Sequence, residues 1–84
     1  MEIVSHKIVK SEIGYGILNM RITDGTQPLF ENLPERFSIN LRGRVIPNRK
    51  INARKVWIGF KQMGNFQTNE TVKMWKEENI IYIE

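Results

Sequence analysis

The sequence has no cysteine, and His6 is its single histidine. The lack of cysteine excludes disulfide frameworks, thiol redox chemistry and cysteine-based zinc fingers. Metal binding is left to Asp and Glu, which form no cluster with ligand spacing, so neither a metal nor a cofactor is expected. There is no Ser-His-Asp set, nucleophile elbow or HExxH motif, and the chain is therefore predicted not to be an enzyme.

Long apolar runs are missing as well. No stretch of this 84-residue chain approaches the roughly 18 apolar residues of a membrane span. The N-terminus also lacks the apolar segment of a signal peptide. We therefore expect a cytoplasmic protein with no membrane partner, folded as a single small β domain over residues 1–84. A chain of this size buries only about 60% of its unfolded surface, which leaves homo-oligomerisation open as a further source of stability.

The pattern that does occur is alternation of apolar and polar residues, which is typical of strands with one buried face. Three segments show it, with the apolar members Leu18, Met20 and Ile22, then Phe37, Ile39 and Leu41, then Val56, Ile58 and Phe60. Ile80–Ile83 is a short apolar run that predicts a final strand. Residues 69–78 fit either a strand or a short helix, and the spacing of Val72 and Trp75 favours the helix.

These elements predict an all-β fold with one short helix near residues 69–78. Five to six short strands separated by turn signals indicate a small barrel or a sandwich. We prefer the barrel, because closure removes the exposed strand edges that so small a domain has little material to cover.

Charged residues are strongly segregated along the chain. Residues 36–61, here called the basic segment, contain eight Lys and Arg and no Asp or Glu. The remaining residues contain five basic and nine acidic side chains. The formal charge of +4 is therefore the sum of +8 in the basic segment and −4 elsewhere. Clustered cations attract polyanions, because each phosphate that they neutralise releases a condensed counterion.

The basic segment also contains two of the predicted strands. Residues 37–46 and 51–60 are predicted to pair antiparallel around a turn at Pro47–Lys50. Such a hairpin places its cations on one outer face. Trp57 then either stands exposed among them or is buried on the second face of the sheet, with lysine side chains extending past it.

We therefore predict a small non-enzymatic module that binds a phosphate-rich ligand, DNA or RNA above all, through a basic hairpin face at 36–61. Arginines suit phosphate because their planar guanidinium groups donate in pairs, and an exposed tryptophan offers a surface on which a base can stack. The candidate ligand-binding residues are Arg42, Arg44, Arg49, Lys50, Arg54, Lys55, Trp57 and Lys61.

Two other functions compete with nucleic-acid binding. One is an accessory or structural protein of a virus or mobile element that docks on an acidic protein surface or self-assembles. The other is capture of an anionic nucleotide between the subunits of an oligomer. A basic strand face is also often a plain solvated surface. Aromatic residues interleaved with the cations favour nucleic acid, whereas protein docking calls for a larger exposed apolar patch.

Overall fold

A computed structural model describes residues 2–14, 17–58 and 66–84 of the chain. Within these ranges there are nine strands, a 3₁₀ turn at Lys10–Glu12 and one helical turn at Gln27–Phe30. The strands are β1 (Val4–Lys7), β2 (Ile13–Gly14), β3 (Ile17–Arg21), β4 (Phe37–Leu41), β5 (Arg44–Arg49), β6 (Ile51–Asn52), β7 (Lys55–Ile58), β8 (Thr71–Glu77) and β9 (Ile80–Ile83). Neither of the two turns has the length or the apolar character needed to cross a membrane, and no other helix occurs in the described ranges.

The strands form two sheets. The first sheet has the order β1-β8-β9-β4-β5, and the second has the order β2-β3-β7-β6. Within these sheets β4 and β9 run parallel, and the other neighbouring strands run antiparallel. The predicted all-β class is confirmed, but the preferred closed barrel is not observed. The predicted number of strands is too low, since β2 and β6 are two-residue strands that no alternation pattern can reveal.

Buried side chains from both sheets form one apolar core. It contains Leu18 and Met20 of β3, Val56 and Ile58 of β7, and all three apolar members of β4. The alternation therefore predicted the inward faces of these strands correctly, because successive side chains of a strand point to opposite sides of the sheet. Phe60, the remaining predicted core residue, lies outside the described residues.

The helix favoured for residues 69–78 is wrong, because this segment forms strand β8. Its Val72 and Met74 are fully buried two residues apart, and β8 pairs with β1 on one side and with β9 on the other. The spacing of Val72 and Trp75 was misleading, since Trp75 packs outside the core, parallel to Tyr82 at 5.4 Å between ring centroids. The predicted final strand at Ile80–Ile83 is confirmed as β9.

The predicted pairing of residues 37–46 with 51–60 is also wrong. Strand β4 turns back at Arg42-Gly43 and pairs with β5, whereas β7 lies in the other sheet between β3 and β6. Arg42 and Gly43 have φ values of 50° and 90°, the positive angles that suit a two-residue hairpin turn. Asn40 Oδ1 accepts a hydrogen bond from the Gly43 N–H at 2.9 Å, which stabilises the turn at this position.

The Pro47–Lys50 region is where the chain passes from one sheet to the other. Lys50 alone separates β5 of the first sheet from β6 of the second, and Asn48, near the end of β5, has a positive φ of 59°. Across this crossing Arg49 Nη1 donates to the backbone oxygen of Trp57 at 3.1 Å. This contact holds the Arg49 side chain beside β7 of the second sheet.

Candidate nucleic-acid interface

The outer face of the second sheet displays the polar residues of β3 and β7. Asn19 lies directly across from Trp57, and Arg21 lies directly across from Lys55. Their neighbours in sequence, such as Val56, are buried in the core, so these four side chains point away from it. Trp57 is 53% exposed, which resolves the alternative left open by the sequence in favour of an outward-facing tryptophan.

A groove of about 220 Å³ lies against Trp57. Three cations, two amides and the indole line it, namely Arg36, Asn48, Arg49, Lys50, Asn52 and Trp57. Among the described residues no Asp or Glu contributes to its wall. The groove therefore combines positive charge with an aromatic surface, as do proteins that bind single-stranded nucleic acid without sequence preference. We call it the Trp57 groove.

Backbone carbonyl groups hold the arginines of the Trp57 groove in place. Arg49 donates from Nε to the Pro47 oxygen at 3.1 Å and from Nη1 to the Trp57 oxygen at 3.1 Å. Arg36 Nη1 donates to the Asn48 oxygen at 3.4 Å. Because these acceptors are neutral, the contacts orient the guanidinium groups while their positive charge is not balanced by a carboxylate.

The two amide side chains of the groove are available for further hydrogen bonds. Neither the Asn48 nor the Asn52 side chain is bonded to another described residue. A free carboxamide offers one acceptor and two donor hydrogens, which matches the mixed donor and acceptor edge of an unpaired base.

The structure divides the predicted ligand-binding residues into three groups. Arg49, Lys50 and Trp57 meet in the Trp57 groove. Arg54 and Lys55 line a second pocket on the same sheet, around the turn between β6 and β7. Arg42 and Arg44 lie at the β4–β5 turn, with Arg44 about 16–17 Å from Arg49 along β5 at 3.3 Å per residue. Lys61 lies outside the described residues.

Arg42 is engaged within the protein. Its guanidinium group forms an ion pair with Glu70 and lies 4.2 Å above the centre of the Phe66 ring. Donation from Arg42, helped by the backbone N–H of Gln67, holds the pKa of the Glu70 carboxyl below its usual value. These contacts fasten the β4–β5 turn to the segment before β8, so Arg42 has a structural role in the free protein.

Sequence reasoning missed one cation of this face, Arg21, and it did not name Arg36 of the basic segment as a candidate ligand-binding residue. Arg21 belongs to the same alternation as Met20 and Ile22, and this alternation already assigns it to an outer face. It was overlooked because it lies outside the basic segment, and only the pairing of β3 with β7 places it beside Lys55.

Sequence reasoning also missed a buried pair, His6 and Glu12, which contacts the end of β3. His6 Nε2 lies 2.9 Å from Glu12 Oε2, and both side chains are buried. Glu12 also accepts hydrogen bonds at 2.8 Å from the backbone N–H groups of Val9 and Arg21. One buried carboxylate thus connects β1, the 3₁₀ turn and the end of β3.

The turn that presents Arg54 is conformationally unfavourable. Ala53 and Arg54 have φ values of 53° and 58°, although neither is a residue that readily adopts positive φ. We expect Ala53→Asn to raise the free energy of unfolding by about 1 kcal/mol, because asparagine tolerates this conformation and favours the first position of such turns. For a domain of this size that is about 4–8 °C in Tm by calorimetry.

The matched variant Ala53→Val should change stability in the opposite direction, because a β-branched side chain fits positive φ poorly. A Tm for Ala53→Asn at or below the wild-type value would contradict the assigned turn geometry.

Comparison of the chain with protein-family models, with curated proteins and with solved structures gave no match.

Proposed function

We propose that this domain is a non-enzymatic module that binds single-stranded DNA or RNA through the outer face of its second sheet. The observation that carries the proposal is the 53% exposure of Trp57 beside a groove walled by Arg36, Arg49 and Lys50. Exposing a large aromatic ring is unfavourable for folding alone, since burying such a side chain stabilises a protein by about 1.5–3 kcal/mol. A nucleotide suits this surface, because its flat base can stack on the ring and its phosphate can bind the surrounding cations.

Phosphate contacts supply the general part of the affinity. The Trp57 groove contributes three cations, and Arg21 and Lys55 add two more on the same face. Such contacts are independent of sequence, because the sugar-phosphate backbone is the same at every nucleotide.

Stacking favours a single strand over a duplex. The faces of paired bases are covered by their neighbours in the helix, whereas unpaired bases can turn outward and lie on an aromatic ring. Asn48 and Asn52 then face the edge of the stacked base, and their free amides supply hydrogen bonds to it.

Affinity for a labelled single strand is expected to fall steeply with salt. Each phosphate neutralised in a single strand contributes about 0.7 to the slope of log affinity against log salt. Contact with about five phosphates therefore predicts a loss of roughly a hundredfold between about 50 mM and about 200 mM salt. Fluorescence anisotropy with thymidine and uridine oligonucleotides of about eight residues measures this, with a hairpin duplex as the comparison.

Absence of binding to any of these probes at the lower salt concentration would refute the proposal, since screening is weakest there. The basic face would then belong to an acidic protein partner or to a small anion. Tighter binding to the duplex than to the single strand would refute the stacking role alone.

A further inference from the structure

A second pocket, of about 460 Å³, opens on the same face at the turn between β6 and β7. Three cations line it, Arg21 from β3, Arg54 from the turn and Lys55 from β7. Asp24 also lines it, with its Oδ1 3.9 Å from Arg54 Nη2 and its side chain fully exposed. We call this the turn pocket.

Two of these cations oppose each other in the folded protein. Arg21 and Lys55 are direct partners across β3 and β7, and both are exposed. Like charges in this position destabilise a sheet. Among the described residues neither side chain has a carboxylate partner that would relieve the repulsion. An anion placed between them would relieve it.

The third cation is oriented in advance. Arg54 Nη2 donates to the Ile22 oxygen at 3.2 Å and to Gln27 Oε1 at 3.3 Å. Both contacts use Nη2, one of the three nitrogens of a guanidinium group that has five N–H donors. The Nε and Nη1 donors have no partner among the described residues. They lie on opposite sides of the group, and each can donate a charge-assisted hydrogen bond to a phosphate oxygen.

We propose that the turn pocket binds a phosphate group of the same nucleic-acid strand whose base stacks on Trp57. The inference rests on the proposed function and extends it from one subsite to two. Lys55 and Trp57 are separated by one residue on β7, so they lie on the same face about 6–7 Å apart. Lys55 lines the turn pocket and Trp57 lines the groove, so a strand stacked on the indole reaches the pocket along one continuous surface.

The sharpest test is a charge reversal that should stabilise the fold and weaken binding. Arg21→Glu replaces a repulsive cross-strand pair with an attractive one, so Tm in phosphate-free buffer should rise by roughly 1–8 °C. Affinity for a thymidine oligonucleotide of about eight residues should fall about tenfold or more, because a carboxylate then faces the phosphate. Lys73→Glu is the matched control, since it makes the same change of charge on an exposed residue of β8 in the first sheet. It should leave both quantities near their wild-type values.

Inorganic phosphate tests the turn pocket without any nucleic acid. In an NMR titration at constant ionic strength, phosphate should shift the amide signals of residues 21–24 and 53–55 in the wild type and not in Arg21→Glu. Phosphate should also raise the wild-type Tm, because a ligand that binds only the folded state stabilises it. Arg21→Gln is a second variant that keeps the test decisive if Arg21→Glu does not fold. With a single-stranded oligonucleotide, this variant should make the slope of log affinity against log salt shallower by about 0.7, the contribution of one phosphate.

The outcomes separate the two proposals. If oligonucleotides bind and Trp57 matters, but Arg21→Glu binds like the wild type, the turn pocket is refuted and the Trp57 groove stands. If phosphate shifts the pocket amides but no oligonucleotide binds, the proposed function and the shared strand are both refuted. Phosphate shifts that map to other residues, or that persist in Arg21→Glu, refute the turn pocket as a phosphate site.

Discussion

Replacing Glu12 with Ala is expected to lower the free energy of unfolding by about 3–5 kcal/mol, the size expected when one member of a buried pair is removed. The carboxylate accepts hydrogen bonds from the backbone of Val9 and of Arg21 and lies 2.9 Å from the His6 ring. Without it, the buried His6 ring and two part-buried backbone N–H groups lose their partner, and a buried group left unpaired costs about 1–3 kcal/mol. Urea denaturation followed by far-UV circular dichroism measures the loss. Domains of this kind have a total stability of only about 5–15 kcal/mol, so the variant should be close to unfolding.

Two variants control this experiment. Glu77→Ala removes the same side chain from an exposed position on β8 and should stay within about 0.5 kcal/mol of the wild type. Glu12→Gln keeps one acceptor oxygen and should lie between the two. Equal urea midpoints for Glu12→Ala and Glu77→Ala would contradict the structural role of the buried pair. Because Glu12 holds the backbone of Arg21, any Glu12→Ala protein that remains folded should also bind oligonucleotides more weakly.

The alternation of residue types was sufficient to predict which side of each strand is buried. It could not predict which strands are neighbours, since Ile39 and Ile58 fit equally well into adjacent strands or into opposite sheets. The position of the turn decided which strand pairs with β4. The chain turns at Arg42 and Gly43, which have positive φ values, and not at the proline-containing segment that follows. Segment 69–78 shows the same limit, because its pairing with β1 and β9 outweighed a weak helical spacing.

Part of the candidate site was predicted from the sequence, but its residues meet through a different arrangement of strands from the predicted hairpin. Arg49, Lys50 and Trp57 do converge, but across the crossing from β5 to β6 and not along one hairpin. The charge count could not separate Arg42, which pairs with Glu70, from these residues, because Glu70 lies 28 positions away in sequence. Arg21 was missed because it lies far from the basic segment in sequence, and only the pairing of β3 with β7 places it beside Lys55.

Trp57→Ala should weaken single-strand binding by about 5–150-fold, the equivalent of the roughly 1–3 kcal/mol that a stacked base contributes. Duplex binding should change much less, because paired bases do not present their faces. The side chain is exposed, so stability should fall by no more than about 1 kcal/mol, the range of strand preferences. Trp57→Phe keeps an aromatic surface and should retain most of the affinity. Anisotropy titrations with single-stranded and hairpin probes, together with a thermal melt of each variant, measure all three quantities.

The second tryptophan of the chain is the matched control. Trp75 is half-buried on the first sheet and stacks on Tyr82 with an angle of 2° between the rings. Trp75→Ala removes that contact and should lower stability by about 0.5–1.5 kcal/mol beyond the lost burial, while single-strand affinity stays at the wild-type value. The two tryptophans should therefore have opposite phenotypes, since one contributes to binding and the other to folding. If Trp57→Ala unfolds the domain, or if Trp75→Ala weakens single-strand binding as strongly as Trp57→Ala does, base stacking on Trp57 is the wrong mechanism. If both variants bind like the wild type, the affinity comes from the cations alone.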